Sequence, residues 1–321
     1  PAPSSISMKI LRKMKLAPIV MIISSFLLSL VQADSIPRPE HPRPDFYRAS
    51  WVSLNGQWQF EIDEQSDGKE RGLMSGKDLS QTIQVPFCPE SKLSGIAHTD
   101  FMKDVWYRRM FDLPETFTGK RVLLHFGAVD YLSTIWINGV QVGQHRGGTC
   151  AFDFDITEYI RPAGNELVLH VFDDTRSGLQ PCGKQSPKRE SFGCLYTRTT
   201  GIWQSVYLEG VGSSYISDFC LTVDPDHSRV LIQVEIDGPS NGLAITARAR
   251  AEGKEVGNEQ MPAAWRNGQL VLDLSQKRLW SPEDPFLYDL ELTLTRGSDV
   301  VDQVAGYFGL RKVTIEGAAI L

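Results

Sequence analysis

The sequence predicts an all-β fold of two consecutive sandwiches, and three observations carry that prediction. Short apolar runs with a two-residue period recur along the chain, turn residues separate them at close spacing, and helical periodicity is nearly absent. The 321 residues include 33 Lys+Arg against 39 Asp+Glu, with 41% hydrophobic and 10% aromatic residues, an ordinary globular composition. At roughly 100 to 200 residues per domain this length suggests about two domains.

The opening residues follow a different rule. Lys9, Arg12, Lys13 and Lys15 precede an apolar run from Leu16 to Val31, broken only by Pro18, Ser24, Ser25 and Ser29, and Val31-Gln32-Ala33 is a small-residue cleavage pattern. Residues 1–33 therefore read as an upstream extension plus a signal peptide cleaved after about Ala33, with an exported, periplasmic or extracellular product. The apolar run is shorter than the roughly 20 residues that span a bilayer, so no stable membrane anchor is expected. These 33 residues hold four bases and no acid, which leaves 29 bases against 39 acids beyond them, a net charge of −10. So acidic a chain argues against a nucleic-acid partner.

Residues 34–212 hold the first set of strand patterns, among them Val122 to Phe126, Ser133 to Ile137, Leu167 to Val171 and Val206 to Leu208. Asn138-Gly139 between two such runs reads as a two-residue hairpin, because both central positions of that turn need a positive φ that Asn and Gly tolerate. Many short strands at this spacing indicate a sandwich or jelly roll. Gly210-Val211-Gly212-Ser213-Ser214 follows a completed strand and marks a boundary. Residues 213–312 then carry about seven strand-like runs, including Val230 to Ile236, Leu243 to Ala249 and Leu287 to Leu294, the size and pattern of an immunoglobulin-like β-sandwich.

The search for chemistry is mostly negative. No GxSxG, HExxH, phosphate-binding loop or dinucleotide fingerprint occurs, the six histidines show no metal-site spacing, and no cofactor is implied. His125 and His170 lie within strand patterns and read as hydrogen-bonded structural histidines. Five cysteines in an exported chain allow disulfides, and the odd count leaves at least one free. Cys182 and Cys194 flank one polar loop and could pair; other partners and buried free thiols stay open.

Taken together, several ordered motifs resemble glycoside hydrolase family 2, the β-galactosidase and β-glucuronidase group, from about Arg43 to Leu321. They are Leu54-Asn55-Gly56-Gln57-Trp58, Val105-Trp106-Tyr107-Arg108-Arg109, Phe126-Gly127-Ala128-Val129-Asp130, Trp136-Ile137-Asn138-Gly139, Phe152-Asp153-Phe154-Asp155-Ile156-Thr157, and Thr200-Gly201-Ile202-Trp203 running on to Glu209. In the second segment, Leu279-Trp280-Ser281-Pro282-Glu283 and Tyr307-Phe308-Gly309-Leu310-Arg311-Lys312 are similar to that family's corner and to its strand leading into a catalytic barrel. Any one motif is weak; their joint order and spacing are specific.

The resemblance implies a galactose-binding-like jelly roll, an immunoglobulin-like sandwich, and a (β/α)8 barrel missing from this chain, with 313–321 as the start of its linker. Such a barrel alone takes roughly 250 residues, which this length does not leave. Family members are retaining exo-glycosidases whose two glutamates stand about 5 to 5.5 Å apart on the barrel, one protonating the leaving oxygen and one attacking the anomeric carbon. No catalytic residue is therefore expected here, and the chain alone is expected to be inactive. Asn165-Glu166 and Asn258-Glu259 match the Asn-Glu letters of the family's acid/base, yet Glu166 opens a strand in a context the jelly-roll motif already explains.

What this chain would bring to a carbohydrate substrate is a set of loop residues walling off the sugar. Glu90, on the loop after Val85-Pro86-Phe87-Cys88-Pro89, is one candidate, against a surface carboxylate. Asp130 is a second, against a role in turn geometry. Arg198, three residues before Gly201, could reach hydroxyls or a carboxylate, against a solvated residue or a partner for a nearby acid. One branch of the family has a sugar-facing Asp six residues before the Gly-Ile pair; Leu195 stands there here and leaves the sugar unidentified. Trp58, Trp106, Trp136 and Trp203 are expected in the core rather than as sugar platforms. A stand-alone carbohydrate-binding protein and a structural partner for a separate barrel are the competing readings.

Overall fold

The computed structural model describes residues 36–263 and 267–320. The expected signal peptide and its cleavage point after Ala33 lie outside the described residues. Among the described residues no helix is long and apolar enough to cross a membrane.

Twelve strands build the first sandwich: β1 (Trp51–Ser53), β2 (Gly56–Ile62), β3 (Gln81–Val85), β4 (Asp104–Phe111), β5 (Arg121–Phe126), β6 (Val129–Asp130), β7 (Leu132–Ile137), β8 (Val140–Arg146), β9 (Phe152–Asp155), β10 (Asn165–Phe172), β11 (Gly201–Ile202) and β12 (Val206–Val211). A four-stranded sheet runs β1-β12-β5-β9 and a six-stranded sheet runs β3-β2-β4-β10-β7-β8, while β6 and β11 pair as a separate ribbon. Alternate residues of the two sheets meet in one core, where Trp58, Phe60, Tyr107, Leu124 and Leu169 are buried. The centre of the larger sheet is apolar on its outer side too, because Leu73 and Leu79 from the β2–β3 connection cover Trp106, Trp136 and Val168. That cover explains the near-continuous apolar reading of β10.

The β7–β8 turn is the two-residue hairpin expected, with Asn138 at φ +50° and Gly139 at φ +81°. Asn138 also donates from Nδ2 to the Tyr159 carbonyl (2.7 Å) and to Asn165 Oδ1 (3.1 Å). Glu166 beside it is structural: it accepts from Arg108 Nε (2.5 Å) and from the Gly76 amide (3.0 Å).

Seven strands follow: β13 (Tyr215–Asp224), β14 (Arg229–Asp237), β15 (Leu243–Ala251), β16 (Lys254–Pro262), β17 (Asn267–Asp273), β18 (Tyr288–Arg296) and β19 (Asp299–Phe308). They form sheets β13-β14-β17 and β16-β15-β18-β19, packed over a second core that includes Ile232, Ile245, Tyr288 and Leu292. Strict alternation of buried and half-buried residues along β15 is the pattern of a sheet with one face on a core. In the stretch expected as a linker, Ile315–Glu316 and Ala319–Ile320 pair as a short hairpin.

A strand-poor arm ahead of β1 ties the two sandwiches together. Tyr47 exchanges main-chain hydrogen bonds with Ala305 of β19 (2.7 and 2.9 Å). Arg48 is buried and donates to Glu209 Oε2 of β12 (3.1 Å), to both Asp302 carboxylate oxygens of β19 (3.1 and 2.8 Å) and to the Ile216 carbonyl of β13 (2.8 Å). His125 Nε2 and His41 Nε2 stand 3.2 and 3.6 Å from the Glu209 carboxylate. Burial pushes the Glu209 carboxyl up, but the two imidazoles and the Arg48 charge outweigh it and hold the group well below the usual carboxylate range. His170 meets Asp104 at 2.7 Å, the hydrogen-bonded partner expected of it, whereas His125 faces Glu209 at ion-pair distance without a hydrogen bond to its Nε2.

The cysteine pairing is corrected. All five thiols are free, and Cys182 directs its sulfur at the Thr175 and Gln180 carbonyls (3.4 Å each), while Cys194 is exposed. The Cys182 sulfur thus faces the main chain of its own loop and not Cys194.

Candidate functional site

The β6–β11 ribbon organises the site, and a close backbone approach fixes it. Asp130 pairs with Gly201 and Val129 with Ile202. Gly201 sits at φ +73°, and a Cβ there would collide with the Tyr107 hydroxyl, so glycine alone lets this backbone lie on the ring. The Tyr107 hydroxyl accepts from the Ile202 amide at 3.3 Å.

That path directs the residues just before Gly201 at three buried carboxyls. The Thr200 amide donates to the Glu90 oxygens at 3.1 and 3.2 Å, and Thr200 Oγ1 donates to Asp173 Oδ2 at 2.9 Å. Asp173 Oδ1 accepts from Gln180 Nε2 at 2.7 Å. Gln185 bridges the remaining gap, its Nε2 donating to Asp130 Oδ2 (2.8 Å) and its Oε1 accepting from the Thr199 amide (2.8 Å). Asp130 Oδ1 is buried with no hydrogen-bond partner. Glu90 and Asp130 are each 7% exposed, so Glu90 is not a surface carboxylate.

Crowding sets the charge of this cluster. Burial pushes the Glu90 carboxyl up to about 7. Burial, then the neighbouring Asp173 charge, pushes Asp130 up to about 7 as well, and burial raises Asp173. Carboxyls that are part protonated near neutrality can both donate to and accept from a sugar hydroxyl, whereas fully ionised ones only accept. Burial and the Glu90 charge also push the Cys88 thiol up to about 12, which keeps it protonated.

Arg198 takes a different part from the one its position suggests. It is 3% exposed, and its Nη donors go to the main-chain carbonyls of Ser186 (3.2 Å), Arg189 (3.2 Å), Lys188 and Thr99, with the guanidinium over the Phe101 ring at 4.3 Å. It is thus neither solvated nor directed at a hydroxyl; it closes the loop running from Asp174 to Thr199. The structure therefore brings Glu90 and Asp173 together on Thr200, links Asp130 to them through Gln185 and Thr199, and sets Arg198 behind them. Asp173, Gln180, Gln185 and Thr200 complete the cluster and were not among the sequence-based candidates, although Thr200 opens one of the motifs named there.

Trp58, Trp106 and Trp136 are core residues, as expected, whereas Trp203 is half-buried and donates from Nε1 to the Gly148 carbonyl at 2.7 Å. Near Trp203 a cleft of about 1100 Å³ opens between the arm, the four-stranded sheet and β13, lined in part by His41, Phe87, Phe152 and Tyr207. Among the described residues no group of three His, Cys, Asp or Glu side chains is placed to hold a metal ion.

Two family models match the chain: glycosyl hydrolases family 2, sugar binding domain, over residues 51–208, and glycosyl hydrolases family 2 over residues 214–311. A β-galactosidase of Thermoanaerobacter pseudethanolicus is 29% identical over 215 residues, covering 65% of this chain and 28% of the relative. A β-glucuronidase of Paenibacillus borealis is 25% identical over 288 residues, covering 84% of this chain and 46% of the relative. The crystal structure of Ruminococcus gnavus β-glucuronidase matches with a TM-score of 0.70 at 24% identity, covering 88% of this chain and 48% of that one, a likeness of fold. The chain spans less than half the length of these relatives.

Proposed function

Because the chain belongs to glycosyl hydrolases family 2, we propose that it is the pocket-building part of an exported hydrolase of terminal β-linked sugars. In this reading the chemistry is the retaining one, with two glutamates on a (β/α)8 barrel outside this chain, one acting as acid and then base and the other as nucleophile. Glu90 and Asp130 wall the sugar subsite and hold its hydroxyls, and Arg198 fixes the loop beside them. The chain by itself is inactive, since its glutamate in the Asn165-Glu166 pair is engaged by Arg108 and Gly76 and is not part of a carboxyl pair of the required kind.

The observation that carries this reading is the convergence of Glu90 and Asp130 on one buried ribbon, with one Asp130 oxygen left unpartnered. A buried carboxyl oxygen without a donor is costly unless something supplies one, and a sugar hydroxyl is a suitable donor. The test has two arms. Nitrophenyl β-galactoside and β-glucuronide are assayed with this chain and with a longer chain carrying a barrel; only the longer one should turn over. Methyl β-glycosides are then titrated into this chain and into Glu90→Gln and Asp130→Asn variants, where Asp130→Asn should weaken binding about tenfold. Turnover by this chain alone would place the reacting carboxyls elsewhere.

A stand-alone carbohydrate-binding protein is the second reading, and the exposed rings of Phe192 and Tyr196 favour it. Turnover by the longer chain separates the two.

A further inference from the structure

The segment from Asp174 to Thr199 contains no regular strand, yet it is pinned from below at several points. Glu90 and Asp173 hold Thr200 at its end, Gln180 and Gln185 tie its middle to Asp173 and Asp130, and Arg198 donates to four main-chain carbonyls, three of them within the segment. Burying so many polar groups under a loop stabilises little by itself, since each desolvation offsets most of what its hydrogen bonds return. What it achieves is a fixed shape, which lowers the ordering cost of binding.

The outward side of that fixed shape differs in charge from the rest of the protein. Apart from the buried Arg198, residues 174–199 hold four bases against two acids in a chain that is net negative. Lys184 and Lys188 are exposed, the Lys188 ammonium lies over the exposed Phe192 ring at 4.4 Å, and the exposed Arg189 beside them pairs with Asp100 at 3.3 Å. The Tyr196 ring beside them is 60% exposed, and the main chain of Tyr196 is bonded to Ser186 and Lys184 (2.7 and 2.8 Å), which keeps rings and ammonium groups on one short surface. Rings that stack on sugar faces, set among cations that pair with carboxylates or sulfates, are complementary to an acidic glycan.

We propose that this loop is an extended subsite for an acidic oligosaccharide, binding the sugars that follow the terminal one through Lys184, Lys188 and Tyr196. The proposal rests on the reading that Glu90 and Asp130 wall the terminal subsite; it adds the class of chain attached there. A neutral glycan would leave the lysines unpaired, and would gain only the stacking.

The test uses this chain and two matched probes, a β-linked oligosaccharide alternating glucuronate and N-acetylglucosamine and its carboxyl-reduced counterpart, with methyl β-glucuronide as the single-sugar control. Calorimetric titration should show the acidic oligosaccharide binding about tenfold tighter than the neutral one, with the advantage shrinking as salt is raised to about 300 mM. Lys184→Glu/Lys188→Glu should lose that advantage, with melting temperature and single-sugar affinity unchanged. Tyr196→Ala should weaken both oligosaccharides alike. Equal affinity for the two probes, or no binding of the acidic one, overturns the proposal, as does tighter binding of a short thymidine strand, which would assign the loop to nucleic acid. Failure of the terminal-sugar reading is visible separately, as loss of methyl β-glucuronide binding with the acidic oligosaccharide still held.

Discussion

A carboxyl that accepts a main-chain amide inside a protein makes stability depend on pH, and Glu90 does so in a definite direction. Its folded value, about 7, lies above its ordinary 4.5. Below 4.5 both folded and unfolded chains carry the proton and nothing is lost. Between 4.5 and 7 the unfolded chain ionises while the folded one keeps its proton, so stability falls as pH rises and levels off above 7. A Glu90→Gln variant keeps an acceptor for the Thr200 amide and removes the ionisation. It should therefore gain about 2 kcal/mol on the wild type between mildly acidic and mildly basic buffer, read by urea unfolding at both ends. A gap that does not change with pH would mean that Glu90 ionises as freely in the folded protein as in the unfolded one. Asp130 has the same sign; Glu209, held below the usual range, has the opposite one and loses its contribution as pH falls.

The ribbon of β6 and β11 is only two residues long on each side, so its stability comes from how it is seated rather than from its own ladder. Gly201→Ala would place a methyl group against the Tyr107 hydroxyl on a backbone with positive φ. The expected loss is about 2 to 4 kcal/mol in denaturant unfolding; a loss under about 1 kcal/mol would show that Tyr107 can move aside. How much of this was legible follows from range. Strands β5, β7, β10, β14 and β15 stood out because alternation is written into adjacent residues, and Asn138-Gly139 because a tight turn has narrow φ requirements. The Asp174 to Thr199 segment stood out only as a polar loop, since its order comes from Asp130 and Thr99, which reach it from 55 and 99 positions away, and from Glu90, which holds the adjacent Thr200 from 110. Arg198 misled for the same reason: a loop arginine reads as solvated until the carbonyls that surround it are in place.

The whole molecule behaves as two sandwiches joined at Arg48, a residue of the arm that belongs to neither. Its guanidinium neutralises Glu209 from the first sandwich and Asp302 from the second, and both carboxylates are buried. Replacing the pair of acids and the base together by neutral residues of similar volume could be nearly free, because a buried ion pair returns little beyond its desolvation. Removing Arg48 alone is a different matter, for Asp302 then loses its buried counter-charge and Glu209 keeps only the imidazoles of His41 and His125 beside it. Arg48→Met should cost about 3 to 5 kcal/mol and split thermal unfolding into two transitions, one for each sandwich, where the wild type should give one. Arg48→Met/Glu209→Gln/Asp302→Asn should recover much of the loss and narrow the gap between the transitions. Calorimetry at neutral pH decides it: a single transition in Arg48→Met would mean that the remaining contacts, the Tyr47–Ala305 main-chain pairing, the Arg121–Asp237 ion pair and the Leu123, Val211 and Tyr215 cluster, couple the sandwiches without Arg48.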